Sequence, residues 1–217
     1  GAGVDNISAL LDEGREAVQA TESLEALDEI RVRYLGKKGA LTQQLKTLVT
    51  ENQLASASNM IGKVIDRFGR LDILINNIER GGWPVVHGRY TREQWDLEMA
   101  TTLRAKQWVF DAALPHLKAS GDGVVVNISS MAGIVGRSGP ASYLFNEGYA
   151  AANRGIALLT ETWARLGAPQ VRVNELMLGI IETCHGPLTR GWGLLSEAQR
   201  QALIDHTLLA RIGRVED

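Results

Sequence analysis

Tyr143 and Tyr149 follow an apolar run, Gly123 to Ser129, that ends on Ser130. Phenol and hydroxyl groups placed after a buried strand could pass protons. A phenol has an unperturbed pKa of about 10, so it does this near neutral pH only beside a cation. Four residues after Tyr143 stands Glu147, and four after Tyr149 stands Asn153. A Glu would raise the phenol's pKa, whereas an Asn can form hydrogen bonds but supplies no charge. Plain structural roles fit the same residues: Ser130 can satisfy strand-end backbone groups, and either tyrosine can pack. Metal chemistry is not expected, because Cys184 stands alone and His87 and His116 lack ligand-spaced neighbours. Residues 1–53 hold no Gly-x-x-x-Gly-x-Gly between a strand and a helix. Leu35-Gly36-Lys37-Lys38-Gly39 has no buried strand feeding it, so it is no phosphate loop.

The elements that must position these residues change in texture near residue 50. Before it, apolar residues recur at helical spacing (Ile7, Leu10, Leu11, then Leu24, Leu27, Ile30), which predicts two or three short helices over 1–50. Ser23 is the expected N-cap of the second, Leu35 to Gly39 the breaker, and Leu41 the approximate start of a third. From 51 to 217, helix and strand alternate. Helices are predicted over Ala57 to Phe68, Thr91 to Leu117 and Tyr149 to Leu166, and strands over Leu71 to Asn77, Gly123 to Ser129 and Val171 to Met177. Thr91, with Glu93 and Gln94 in the first turn, is the expected cap of the long central helix. This order predicts an α/β fold: a partial, Rossmann-like, doubly wound parallel sheet, covered on both faces and preceded by a helical segment.

Ordered motifs in the second part resemble the short-chain dehydrogenase/reductase family. Arg67-Phe68-Gly69-Arg70-Leu71-Asp72-Ile73-Leu74-Ile75-Asn76-Asn77 is similar to its fourth strand, with Ile78 and Glu79 in place of Ala-Gly. Val124-Val125-Val126-Asn127-Ile128-Ser129-Ser130-Met131-Ala132-Gly133 resembles its fifth strand and catalytic-serine segment. Arg172-Val173-Asn174 with Gly179-Ile180-Ile181-Glu182-Thr183 resembles the sixth strand and following turn, with Leu178 where Pro is usual. Ala210 to Asp217 is similar to the segment before the last helix and strand. The resemblance, from about residue 54, implies hydride transfer between NAD or NADP and a carbonyl or alcohol, and a homo-oligomer. It assigns Ser130 to polarising the carbonyl, Tyr143 or Tyr149 to acid/base work, and Asn76, Asn77, Asn153, Gly179 and Thr183 to the cofactor. Tyr143 has the usual spacing from Ser130, whereas helix register favours Tyr149. On either alignment the family's lysine is absent, and Thr102 stands where its relay Asn belongs. His185, Trp192 and the stretch to His206 fall in its variable substrate-covering region.

Residues 4–48 carry a second resemblance, strongest at Arg33-Tyr34-Leu35-Gly36-Lys37-Lys38-Gly39, to the N-terminal coiled-coil arm of the bacterial phenylalanyl-tRNA synthetase alpha subunit. No synthetase catalytic domain follows within the sequence. Three functions compete: a divergent oxidoreductase, a non-catalytic chimeric or degenerate assembly protein using Trp108, Phe110 and Leu114, for which a core role fits equally well, and a tRNA-contacting arm using Lys37 and Lys38. With 23 Lys+Arg against 25 Asp+Glu, the net charge of -2 provides no overall drive toward nucleic acid. One cysteine, no bilayer-length apolar run and no signal-like N-terminus predict a soluble, cytoplasmic protein without membrane contact.

Overall fold

The computed structural model describes residues 2–21, 23–35, 53–79, 89–183 and 191–217. Helices α1 (Ala2–Gln19) and α2 (Leu24–Leu35) open the chain. Ser23 Oγ accepts from the Ala26 N–H at 3.1 Å, as expected of an N-cap. Of the expected breaker, Leu35 to Gly39, all but Leu35, the last residue of α2, lies outside the described residues. The third helix expected near Leu41 lies outside the described residues. Next come α3 (Gln53–Phe68), β1 (Ile73–Asn76) and α4 (Arg92–Glu98), which Thr91 and Gln94 cap reciprocally. A wider, π-helical stretch, Met99–Arg104, joins α4 to α5 (Ala105–Ser120). The chain continues through β2 (Gly123–Ser130), α6 (Ala132–Val135), a 3-10 turn (Gly139–Tyr143), α7 (Glu147–Gly167), β3 (Val171–Leu178) and α8 (Glu197–Asp205).

The three strands form one parallel sheet in the order β1-β2-β3, with Ile73 opposite Val124 and Val124 opposite Arg172. The parallel α/β architecture is the expected one, and among the described residues its crossover helices lie on one face. Strands added in chain order through right-handed crossovers place every crossover helix on the same face. Accordingly α5 and α7 cover the face of Val125 and Val173, with α3 packed on α5. On the opposite face Ile73 and Ile75 are 60% and 63% exposed, and Leu176 is 52% exposed. Among the described residues the sheet is wound on one side only. A second winding needs a reversal of strand order, and the order of these three strands contains none.

Packing on the covered face centres on Phe110 of α5 and Trp163 of α7, whose rings stack 4.3 Å apart at 7°. Phe110 is wholly buried, so of the two roles open to it from the sequence, subunit contact and core, it takes the core. Trp108 and Leu114 are half-buried beside it. Helix α1 packs on α2 and α3, helped by an Arg67–Asp12 ion pair at 2.7 Å. Among the described residues this does not cover β1, the edge strand on which Ile73 and Ile75 stand.

Candidate active site

Strand β2 ends in two serines with different partners. The Ser129 hydroxyl donates to the Glu175 carboxylate on β3, so its proton is engaged. Ser130 Oγ accepts the Ala132 N–H at 3.1 Å, and among the described residues its own proton has no acceptor. The second serine therefore combines burial with an O–H left to donate. From it the chain turns into α6, which lies so close to α7 that a Cβ on Gly133 would come within 2.8 Å of the Arg154 nitrogen. Only glycine permits this approach. It sets the Ser130 segment against the turn of α7 that holds Asn153, one turn beyond Tyr149.

Tyr149 is half-buried in the first turns of α7, its ring tilted against Phe145 at 6.1 Å. Asn146 caps this helix, accepting from the Gly148 N–H at 3.1 Å. Gly148 leaves room for Tyr90 and Trp95, since a Cβ there would lie 2.8 Å from the Tyr90 ring. Asn153 is buried, and its side-chain amide donates to the Tyr149 carbonyl at 2.9 Å, turned back on its own helix. Tyr143 stands apart on the 3-10 turn, and Glu147, four residues on, is exposed in the first turn of α7.

A chain of buried polar groups runs behind these residues. Asn76, at the end of β1, donates to Asn127 Oδ1 at 3.0 Å, and Asn127 donates to Thr160 on α7 at 2.9 Å. Asn76 Oδ1 is buried and has no hydrogen-bond partner among the described residues. Nearby, Glu98 is 1% exposed and accepts from Tyr90 Oη at 2.8 Å and from Thr102 Oγ1 at 2.5 Å. Lys106, 2% exposed, donates to the Thr102 carbonyl at 3.1 Å and to the Ile78 carbonyl just beyond β1. Burial pulls its pKa down to about 8, against the opposing pull of Glu79 and Glu98. Reading the sequence for a cation beside each tyrosine missed Lys106. The available signal was the repeat Glu98, Thr102, Lys106, Phe110, every fourth residue on one helical face.

The remaining cofactor candidates sit at the carboxyl ends of the strands, where open α/β sheets bind ligands. Asn77 is exposed after β1, while Gly179 and the half-buried Thr183 follow β3. A Cβ on Gly179 would reach Met131 Sδ at 3.8 Å, which ties that turn to the Ser130 segment. Thr102, in the position of the relay Asn, gives its hydroxyl to Glu98. His87, Cys184, His185, Lys37 and Lys38 lie outside the described residues. His206 is exposed at the end of α8, with Nδ1 2.9 Å from the Ala202 carbonyl oxygen. Among the described residues no cluster of His, Cys, Asp and Glu could hold a metal, and no helix is long and apolar enough to cross a membrane.

A family model described as short chain dehydrogenase matches residues 1–190, a span that includes α1 and α2. The 3-oxoacyl-(acyl-carrier-protein) reductase of Thermotoga maritima is 29% identical over 221 residues, covering 100% of this chain and 82% of its own length. Trans-4-hydroxycyclohexanecarboxylate dehydrogenase of Sinomonas cyclohexanicum is 31% identical, covering 94% of this chain and 74% of its own. In structure, a short-chain dehydrogenase/reductase from Burkholderia xenovorans matches with a TM-score of 0.58 at 24% identity. That match covers 74% of this chain and 60% of the other, and it bears on the fold alone.

Proposed function

Because the chain belongs to the short chain dehydrogenase family, we propose that it is an NAD- or NADP-dependent oxidoreductase interconverting a small carbonyl compound and its alcohol. The observation that carries this is the contact of Gly133 with the Asn153–Arg154 turn, which brings the segment that follows Ser130 against the helix bearing Tyr149. Tyr149 is preferred to Tyr143 because it shares the helix that packs against the serine segment. A nicotinamide cofactor, when bound, supplies or takes the hydride. Ser130 donates a hydrogen bond to the substrate oxygen, and the Tyr149 phenol delivers the proton to it as the carbonyl becomes an alcohol. The buried, unsatisfied Oδ1 of Asn76 fits a ribose hydroxyl. Asn77, Asn153, Gly179 and Thr183 would complete the cofactor's surroundings from the other strand ends and α7.

The test is cofactor oxidation by the purified protein, with NADPH and NADH each offered a β-keto ester and a cyclic keto acid. Turnover that Ser130→Ala and Tyr149→Phe each reduce about a hundredfold or more is expected. Turnover no greater than in the Tyr149→Phe protein contradicts the proposal. Exposed Leu158 and Leu166 on α7, 65% and 52% accessible, favour a second reading, association of copies through this helix. Leu158→Lys with Leu166→Lys then converts an oligomer to a monomer in sedimentation, whereas an unchanged mass excludes this surface.

A further inference from the structure

Lys106 is a buried cation for which the proposed function, on which this inference rests, has no use. An ammonium group carries three N–H donors. Two are taken by the carbonyls of Thr102 and Ile78, and among the described residues the third has no acceptor. The Glu79 and Glu98 carboxylates act on it through space, while the Glu98 oxygens accept from Tyr90 and Thr102. Burial outweighs the pull of those carboxylates, because the ammonium's pKa is drawn down rather than up, so keeping a cation here carries a net cost. An apolar side chain of similar length would fill the space at less cost.

The place itself is informative. Lys106 reaches over the end of β1 to Ile78, two residues beyond Asn76. Asn76 turns toward Asn127 and Thr160, into the layer between the sheet and helices α5 and α7. The same layer thus receives a buried donor from α5 and a buried acceptor from β1, each short of one partner among the described residues. A hydroxyl group is the simplest ligand for such a pair, because it accepts from the ammonium and donates to the amide oxygen. The π-helical stretch just before Lys106 widens the helix at this point, and such widened turns are frequent at functional sites.

We infer that Lys106 is the cationic anchor of the crevice, forming with Asn76 Oδ1 a donor–acceptor pair for a ribose hydroxyl of the nicotinamide cofactor. The positive charge absent from position 153 of α7 thereby enters from α5. Lys106 holds the ligand in this arrangement and exchanges no proton with the substrate.

Titration of the purified protein with NADPH and with NADH tests this, using wild type, Lys106→Met, Lys106→Met with Asn153→Lys, and Asn76→Ala. The better cofactor is expected to bind Lys106→Met at least tenfold more weakly, and the added lysine at 153 to restore part of the loss. Wild-type affinity should also fall as pH rises through the titration of Lys106, and Lys106→Met should be flat over that range, which a merely structural lysine would not produce. Binding by Lys106→Met within twofold of wild type overturns the inference. Should that variant fail to fold, Asn76→Ala decides: severalfold weaker binding supports the pair, and unchanged binding removes it. Wild type that binds neither cofactor fails the oxidoreductase reading itself and takes this inference with it, whereas wild type that binds beside an unaffected Lys106→Met leaves that reading standing.

Discussion

Lys106 leaves a mark on folding that is separate from any ligand. Its pKa falls from 10.5 to about 8 in the fold. Below about 8 both folded and unfolded chains carry the proton, and the fold bears the whole burial cost. Between about 8 and 10.5 the unfolded chain binds more proton, so stability rises with pH, by a few kcal/mol at most. Glu79 and Glu98 share the surroundings, and Tyr90 meets Glu98 through its hydroxyl. The wild-type melting temperature is therefore predicted to gain on Lys106→Met between pH 8 and pH 10, and parallel curves would refute the assignment. The tyrosines offer a second prediction: Tyr149→Phe lowers kcat about a hundredfold or more, and Tyr143→Phe changes it less than about threefold. The reverse order would transfer the proton to the 3-10 turn. The place of Ser130 at the end of β2 could be read from the sequence because it closes an apolar run. Lys106 was hidden because a lysine within a helix reads as exposed until the packing of its face is known.

At the scale of elements, the contact of α6 with α7 is tight enough to be broken by one methyl group. Gly133→Val puts a branched side chain where a Cβ already lies 2.8 Å from backbone nitrogen. A loss of about 1–3 kcal/mol is expected, with a larger fall in activity than in stability because the Ser130 segment must move. Chemical denaturation beside initial rates measures both, and a variant unaffected in either would show the contact to be idle. Phe110→Ala should cost about 3–5 kcal/mol through loss of the stack on Trp163 without such a selective effect on rate. Strands and most helices were legible, and their ends fell within a few residues, because Gly, Asp and Asn bound the apolar runs. The π-helical stretch over 99–104 was not, since one wider turn scarcely disturbs an apolar period.

At the scale of the whole molecule, the described residues form an α/β sheet with one dressed face. Val124, Val125 and Val126 in succession read as a strand buried on both sides, and pattern alone cannot distinguish that from one side covered. The strand order decides, because consecutive right-handed crossovers stack their helices together. Replacing Ile73 and Ile75 together by Lys is thus expected to change stability by no more than about 0.5 kcal/mol per site in this chain, whereas Val125→Lys, at a wholly buried position, should prevent folding. A large loss from the first pair would show that the open face is covered in solution. The central claim, that this fold receives a nicotinamide cofactor at the carboxyl ends of its strands, is tested most directly by the melting temperature with and without millimolar NADPH or NADH. A ligand that binds only the folded state must raise it. A clear increase with at least one cofactor, diminished in Lys106→Met, is the predicted result; an unchanged melting temperature with both would contradict the account.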